Sequence, residues 1–178
     1  RLLTEEELEW AQIAWTYFEN NTIPETGMVN SVDAYPASTM WDTASYMLGL
    51  ISAYRLEIVE EDEFNDRIEL ILSSLASMEL YKDKLPNKSY NTHTMAMVDY
   101  ENNATDLGIG WSAIDVGRIL VPLNILVWNY PQHTEAVSEV VRRWDFQALL
   151  QDGVMMGAEH NEETGEPKMV QEGRIGYE

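Results

Sequence analysis

Residues 108–118 read Gly-Ile-Gly-Trp-Ser-Ala-Ile-Asp-Val-Gly-Arg, a glycine-bracketed loop that carries a tryptophan and runs directly into a helix. Ser112 can cap this helix, because Asp115 follows at the spacing of a capping box with Asp in place of Glu. The following segment, 113–128, is apolar on every side, which predicts a helix buried among other helices. We therefore expect this stretch to form the floor of a binding site at the N-terminus of an inner helix.

An earlier stretch has the same pattern. Residues 38–46 read Ser-Thr-Met-Trp-Asp-Thr-Ala-Ser-Tyr, where Thr39 can cap a helix and Asp42 follows at the same spacing. When Asp42 is aligned with Asp115, the two buried segments and the amphipathic segment after each stay in step without a gap. This indicates a repeated unit, a buried helix followed by an amphipathic one.

The remaining segments fit between these two units. The patterns predict an amphipathic helix capped by Thr4, an inner helix over 40–55, an outer helix from residue 60, a long connection over 81–110, and, after the inner helix, an outer one capped by Thr134. Residues 154–160 and 167–170 flank a polar turn and predict a β-hairpin. The predicted fold is mostly all-α: an α/α toroid of alternating inner and outer helices, present as a partial barrel, with a small β-hairpin near the C-terminus.

Length and composition predict a single domain over residues 1–178, with 45% hydrophobic residues as in globular proteins. The last residues, Gly-Arg-Ile-Gly-Tyr-Glu, resemble the start of a third buried helix. We therefore expect the chain to be a fragment that lacks the C-terminal helices of the toroid.

The charge of the chain restricts its partners. A formal net charge of −20, with 11 Lys and Arg, predicts no nucleic-acid binding and disfavours anionic membrane surfaces. No apolar run reaches spanning length, so no direct membrane insertion is expected in this segment. Cysteine is absent and the three His are far apart in sequence, so neither a metal site nor a cofactor is expected.

Four acids are candidates for catalysis: Asp42, Asp99, Asp115 and Glu172. Glycoside hydrolysis uses two carboxyl groups about 5 to 10 Å apart, one as acid and the other as base or nucleophile. Asp42 and Asp115 have an alternative explanation, because an acid beside a Ser or Thr cap stabilises a helix by about 0.5 to 2 kcal/mol. Asp99 lies in the long connection and has no such role, although aspartates are common in turns.

Aromatic residues accompany these acids. Trp41 and Trp111 lie at the entries of the two inner helices, and Tyr100 follows Asp99. Their rings could stack on sugars, although packing against the next helical turn explains the two tryptophans nearly as well. Arg118 follows Asp115 by one turn and is expected to form an ion pair with it or with Asp42.

The chain resembles a bacterial family, domain of unknown function 3131. The blocks that carry the resemblance are residues 24–29, 39–46, 85–90, 97–100, 108–118 and 172–178. The family is similar to the glycoamylase-like and cyclic-glucan-synthase toroid domains of exported or membrane-attached bacterial proteins. The resemblance implies an (α/α) barrel that handles a glucan or envelope polysaccharide in the periplasm or outside the cell. Tyr46, Arg118 and Glu178 lie in these blocks and are further candidates for sugar contacts.

Three hypotheses follow. The first is a glycoside hydrolase or transglycosylase acting on an oligosaccharide or polysaccharide, with Asp42, Asp99 and Asp115 as the acid, base and sugar-orienting groups. The second is a non-catalytic domain of an envelope or polysaccharide-secretion system that binds glycan or protein. The third is a structural helical scaffold, which predicts that these acids only cap helices or pair with arginines.

Overall fold

The computed structural model describes residues 3–170, which form five α-helices. These are α1 (Glu5–Asn21), α2 (Met40–Arg55), α3 (Glu61–Ser77), α4 (Ala113–Asn129) and α5 (Thr134–Arg142). Helices α2 and α4 pack against each other, α1 and α3 pack on α2, and α5 packs on both α3 and α4. The mostly helical fold is as predicted, with α2 and α4 between the outer helices, whereas closure into a toroid stays a prediction.

The helix starts follow the predicted caps. Thr4 and Thr39 both form complete capping boxes, and the Ser112 hydroxyl accepts a hydrogen bond from the Asp115 backbone N–H at 3.2 Å. The prediction for Thr134 was wrong, because this residue lies in the first turn of α5 and does not cap it. A short 3₁₀-helix, Pro131–His133, leads directly into α5. The residue before α5 is therefore not extended, as the residue at an N-cap usually is.

The strands are short and form four antiparallel pairs among the described residues. These pairs are β1 (Ala37–Ser38) with β4 (Tyr90–Asn91), β2 (Leu80–Tyr81) with β3 (Leu85–Pro86), β5 (Leu150–Gln151) with β6 (Val154–Met155), and β7 (Gly157–His160) with β8 (Pro167–Val170). The predicted C-terminal hairpin is β7–β8. Its first strand is shorter than predicted, because Val154 and Met155 pair back onto β5, which follows a second 3₁₀-helix, Phe146–Leu149.

The core lies where α2 meets α4, α1 and α3. Its residues from these helices include Met47, Leu50, Phe64, Ile68, Ile71, Leu72, Ile119, Leu123 and Leu126. Deep burial of large aliphatic side chains stabilises such a fold by about 1.5 to 3 kcal/mol each. The core therefore fixes the directions of α2 and α4.

One side of α4 does not fit the prediction that this helix is buried all round. Val121 is 50% exposed and Trp128 is 80% exposed, and a groove of about 490 Å³ runs between this side and α5. Within residues 3–170 this groove is lined by residues of α4 and α5 alone. This side of α4 is therefore apolar although it is exposed within the described residues.

The N-termini of α2 and α4 lie at the same end of the helix pair. Trp41 is in the first turn of α2, Arg118 is in the second turn of α4, and their side chains touch. The loop before α4 and the hairpin β7–β8 meet near this end, where Ala158 N–H donates to the Trp111 carbonyl at 2.9 Å. No helix within the described residues is long and apolar enough to cross a membrane.

Candidate functional site

Asn87 joins two loops near the N-terminus of α4. Its side chain is buried; Oδ1 accepts from the Ile109 N–H at 2.7 Å, and Nδ2 donates to the carbonyls of Ser89 and Val98 at 2.8 and 3.2 Å. These three side-chain bonds all go to main-chain groups, whereas the Asn87 backbone N–H donates to the Tyr90 hydroxyl. The amide therefore fixes the loop 97–110 against residues 85–90.

Gly110 lets the hairpin approach this loop closely. Its φ is +115°, and a Cβ atom built on it would lie 1.9 Å from the Ala158 carbonyl oxygen. On either side of this contact, β7 donates two backbone hydrogen bonds, from Ala158 to Trp111 at 2.9 Å and from His160 to Ile109 at 3.2 Å. The strand thus lies against the loop before α4 through main-chain contacts that only glycine permits at position 110.

A groove of about 620 Å³ opens between the loop 99–109 and the hairpin. Its lining residues are Lys88, Asp99, Tyr100, Thr105, Leu107, Gly108, Ile109, Glu159, His160 and Glu162. Tyr100 is 70% exposed and Leu107 is 58% exposed, so both present apolar surface to solvent beside the acids. A concave surface with apolar area and a few polar groups is the usual form of a small-ligand site.

Asp99 is held by its own loop. Its carboxylate accepts hydrogen bonds from the backbone N–H groups of Glu101 and Asn103, both at 2.9 Å, and from the Asn103 side chain at 3.0 Å. The hydrogen bonds from Asn103 are the largest cause that lowers the pKa of Asp99 below its ordinary value of 3.8. At neutral pH Asp99 is therefore a carboxylate, suited to accept hydrogen bonds or stabilise positive charge and not to donate a proton.

Asp42 and Asp115 both serve the helix caps. One oxygen of Asp42 accepts from the Thr39 N–H at 3.1 Å and from the Thr39 hydroxyl at 2.7 Å. One oxygen of Asp115 accepts from the Ser112 hydroxyl at 3.0 Å. The capping explanation thus holds for both, and their catalytic role stays a prediction.

Trp41 and Arg118 form a contact that the sequence analysis did not anticipate. The Arg118 guanidinium carbon lies 4.1 Å from the centre of the Trp41 ring, within the range of a cation–π interaction. The guanidinium covers one face of the half-buried indole. The sequence analysis predicted an ion pair of Arg118 with Asp115 or Asp42 and did not predict the contact with Trp41.

Two aromatic residues that were predicted to contact sugar, Trp111 and Tyr46, lie in the core, which does not fit that role. Trp111 is 2% exposed, its indole N–H donates to the Met156 carbonyl at 3.1 Å, and its ring meets the edge of Tyr81. Tyr46 is fully buried and packs on Trp15 and Phe18 of α1. Both rings lie near the start of an inner helix and pack against other parts of the chain, so neither ring has a face open to solvent.

Glu172 and Glu178 lie outside the described residues, so their roles stay predictions. Of the predicted contacts, Asp99 and Tyr100 share the groove, Asp42 and Trp41 lie in the first turn of α2, and Asp115 and Arg118 lie in the first two turns of α4. Within residues 3–170, no group of three or more His, Asp or Glu side chains is placed to hold a metal ion.

Sequence reasoning missed Asn87, Lys88, Glu159 and Glu162. Asn87 carried a signal, because it follows Pro86 in a block of the family resemblance and polar residues in such loops often bind backbone. The two glutamates gave none, since Glu159 was interpreted as part of a hairpin strand and Glu162 as part of the polar turn that follows it.

The fold is that of glucoamylase-like and glucanase proteins. A glucoamylase-like protein from Bacteroides fragilis superposes with a TM-score of 0.68 at 14% identity, covering 93% of this chain and 42% of that one. A β-1,2-glucanase from Parabacteroides distasonis gives 0.69 at 13% identity, covering 92% and 25%, and an endo-β-1,2-glucanase from Chitinophaga pinensis, solved with sophorotriose and glucose, gives 0.59 at 12%, covering 80% and 37%. The chain thus spans less than half the length of these structures.

The chain belongs to the DUF3131 family, described as proteins of unknown function, whose sequence pattern it matches over residues 9–178. The predicted resemblance to this family is therefore confirmed. No protein with a curated description matches the chain in sequence.

Proposed function

We propose that this chain is a carbohydrate-active domain that binds a bacterial glucan or envelope polysaccharide in the groove between loop 99–109 and the β7–β8 hairpin. The observation that carries the proposal is the pairing, in one open groove, of an ionised Asp99 with the exposed ring of Tyr100. A carboxylate accepts hydrogen bonds from sugar hydroxyls, and an exposed ring packs on the apolar face of a pyranose. The fold shared with glucanase structures supports the same class of ligand.

The activity we propose first is glycoside hydrolysis or transglycosylation. Asp99, kept ionised by its loop, suits the group that stabilises the positive charge of the transition state. The proton donor is then a different carboxyl group, for which Asp42, Asp115 and Glu172 remain the candidates. The exported location implied by the family resemblance, periplasmic or extracellular, is part of this proposal.

The second candidate is a glycan-binding domain without catalysis. One observation favours it: among the predicted acids within residues 3–170, Asp99 lines the groove, whereas Asp42 and Asp115 do not line it and each accept a hydrogen bond at a helix start. Binding tolerates the absence of a second carboxyl group, whereas hydrolysis does not.

The test compares wild type with Asp99→Asn in the full-length protein. Linear glucans of several linkages are incubated with each, and both binding and new reducing ends are measured. Asp106→Asn is the matched control, because Asp106 is exposed in the same loop and does not line the groove.

Release of reducing ends that Asp99→Asn abolishes and Asp106→Asn preserves supports the hydrolase. Glycan binding without such release supports the binding domain. Absence of both binding and cleavage with every glycan would refute the carbohydrate assignment.

A further inference from the structure

We propose that the β7–β8 hairpin is the second wall of the glycan site, that Glu159 and Glu162 contact the sugar, and that these glutamates restrict the groove to glycans without acidic substituents. This inference rests on the proposed function and adds both site residues and a ligand class to it.

The position of the hairpin supports the first step. Strand β7 is fixed to the groove floor by the backbone bonds from Ala158 and His160 and by its close contact with Gly110. The His160 ring is also held, with Nδ1 3.2 Å from the Tyr81 hydroxyl and the two rings edge to face. A wall anchored at backbone and side chain can position its glutamates before a ligand arrives, which lowers the entropy cost of binding.

The groove has two unlike sides. Tyr100 and Leu107 expose apolar surface from the loop, whereas the hairpin contributes Glu159 and Glu162, whose side chains are exposed. A pyranose ring has apolar faces and a rim of hydroxyl groups. A sugar lying on Tyr100 and Leu107 therefore directs hydroxyl groups to the hairpin, where ionised carboxylates accept their hydrogen bonds.

The charge of the lining supports the ligand class. Among the lining residues that the structure describes, the carboxylates of Asp99, Glu159 and Glu162 face a single lysine, Lys88, and one histidine. The chain as a whole carries a formal net charge of −20. Like charges repel, so a sugar that carries a carboxylate, such as a uronate, binds less favourably in this groove than a neutral sugar.

The test uses matched glycan pairs and the full-length protein. Linear gluco-oligosaccharides with 1,2, 1,3 or 1,4 linkages are each compared with the same oligomer oxidised to a carboxylate at C6, and dissociation constants are measured by calorimetry. We expect the neutral member of a pair to bind at least about fivefold more tightly, and the preference to shrink in high salt as charges are screened.

Variants assign the preference to the hairpin. In Glu159→Gln/Glu162→Gln, we expect the affinity ratio of oxidised to neutral oligomer to rise by about fivefold. Glu163→Gln is the control, because Glu163 lies in the same hairpin turn, is exposed and does not line the groove, so removal of one negative charge there should leave the ratio unaltered.

Two results separate this inference from the function on which it rests. Tighter binding of the oxidised oligomers, or an equal change of the ratio in the control and in the double variant, overturns the inference and leaves the carbohydrate assignment standing. Absence of binding to both members of every pair overturns both.

Discussion

The guanidinium carbon of Arg118 lies 4.1 Å from the centre of the Trp41 ring. This contact joins the first turn of α2 to the second turn of α4, and so ties together the N-termini of the two helices at the core of the fold. The aromatic residue and the cation each belong to a block of the family resemblance, yet their contact with each other gives them a structural role. A test of either residue in glycan binding must therefore separate this role from a sugar contact.

A double-mutant cycle measures the pair. We expect Trp41→Leu and Arg118→Met together to destabilise the protein less than the sum of the two single changes, with a coupling energy of about 1 kcal/mol in the free energy of unfolding. Denaturant unfolding of the four proteins gives this value. A coupling near zero would mean that the two side chains stabilise the fold independently.

Replacement of Gly110 tests the close approach of the hairpin. Gly110→Ala places a Cβ against the Ala158 carbonyl at a positive φ, so we expect a loss of at least about 2 kcal/mol in the free energy of unfolding. Hydrogen exchange of the Ala158 and His160 amides should also accelerate, because both bond to this loop.

Gly117→Ala is the matched control. Gly117 lies inside α4 with open space around the added methyl group, so alanine there should stabilise the protein by up to about 1 kcal/mol. Equal effects of the two substitutions would contradict a special role for Gly110.

Loss of the Asn87 side chain should loosen the attachment of loop 97–110 to residues 85–90. Asn87→Ala leaves the Ile109 N–H without this partner and removes one hydrogen bond from each of the Ser89 and Val98 carbonyls, and we expect a cost of about 3 kcal/mol in the free energy of unfolding. Asn124→Ala, at an exposed position of α4, serves as control and should change it by less than about 0.5 kcal/mol. The expectation fails if both variants unfold at the same denaturant concentration.

The lowered pKa of Asp99 can be observed directly. Carboxyl carbon NMR shifts should give a value below 3.8 in the folded protein, and Asn103→Ala should move the pKa back towards 3.8, because Asn103 provides the largest stabilisation of the charge. Since folding lowers this pKa, the contribution of Asp99 to stability is present above pH 3.8 and is lost as the pH falls through the folded value. An unchanged pKa in Asn103→Ala would exclude this cause.

Local signals predicted the helices well. The Thr39 and Ser112 caps, each with an aspartate at the third helical position, give the starts of α2 and α4, because capping depends only on residues within one turn. The β7–β8 hairpin was found for a similar reason, since its strands are close in sequence.

The groove could not be predicted in the same way. Asp99 and Tyr100 were recognised within a long connection, but the glutamates opposite them, Glu159 and Glu162, lie about sixty positions further along. The loop and the hairpin come together where the backbone of Ala158 contacts Gly110 closely. A single contact of this kind leaves no periodic pattern in the sequence. The burial of Tyr46 and Trp111 was missed because an aromatic residue at a helix entry looks the same in sequence whether it faces the core or solvent.

The hairpin is fastened to the groove floor through backbone atoms, from Ala158 to Trp111 and from His160 to Ile109. Its attachment is therefore nearly independent of which side chains it displays at the exposed positions 159 and 162. Side chains at positions 159 and 162 can therefore change while the backbone hydrogen bonds that attach the hairpin stay the same. Under the proposed function, substitutions at these two positions change which glycan the groove selects while the attachment of the hairpin stays the same.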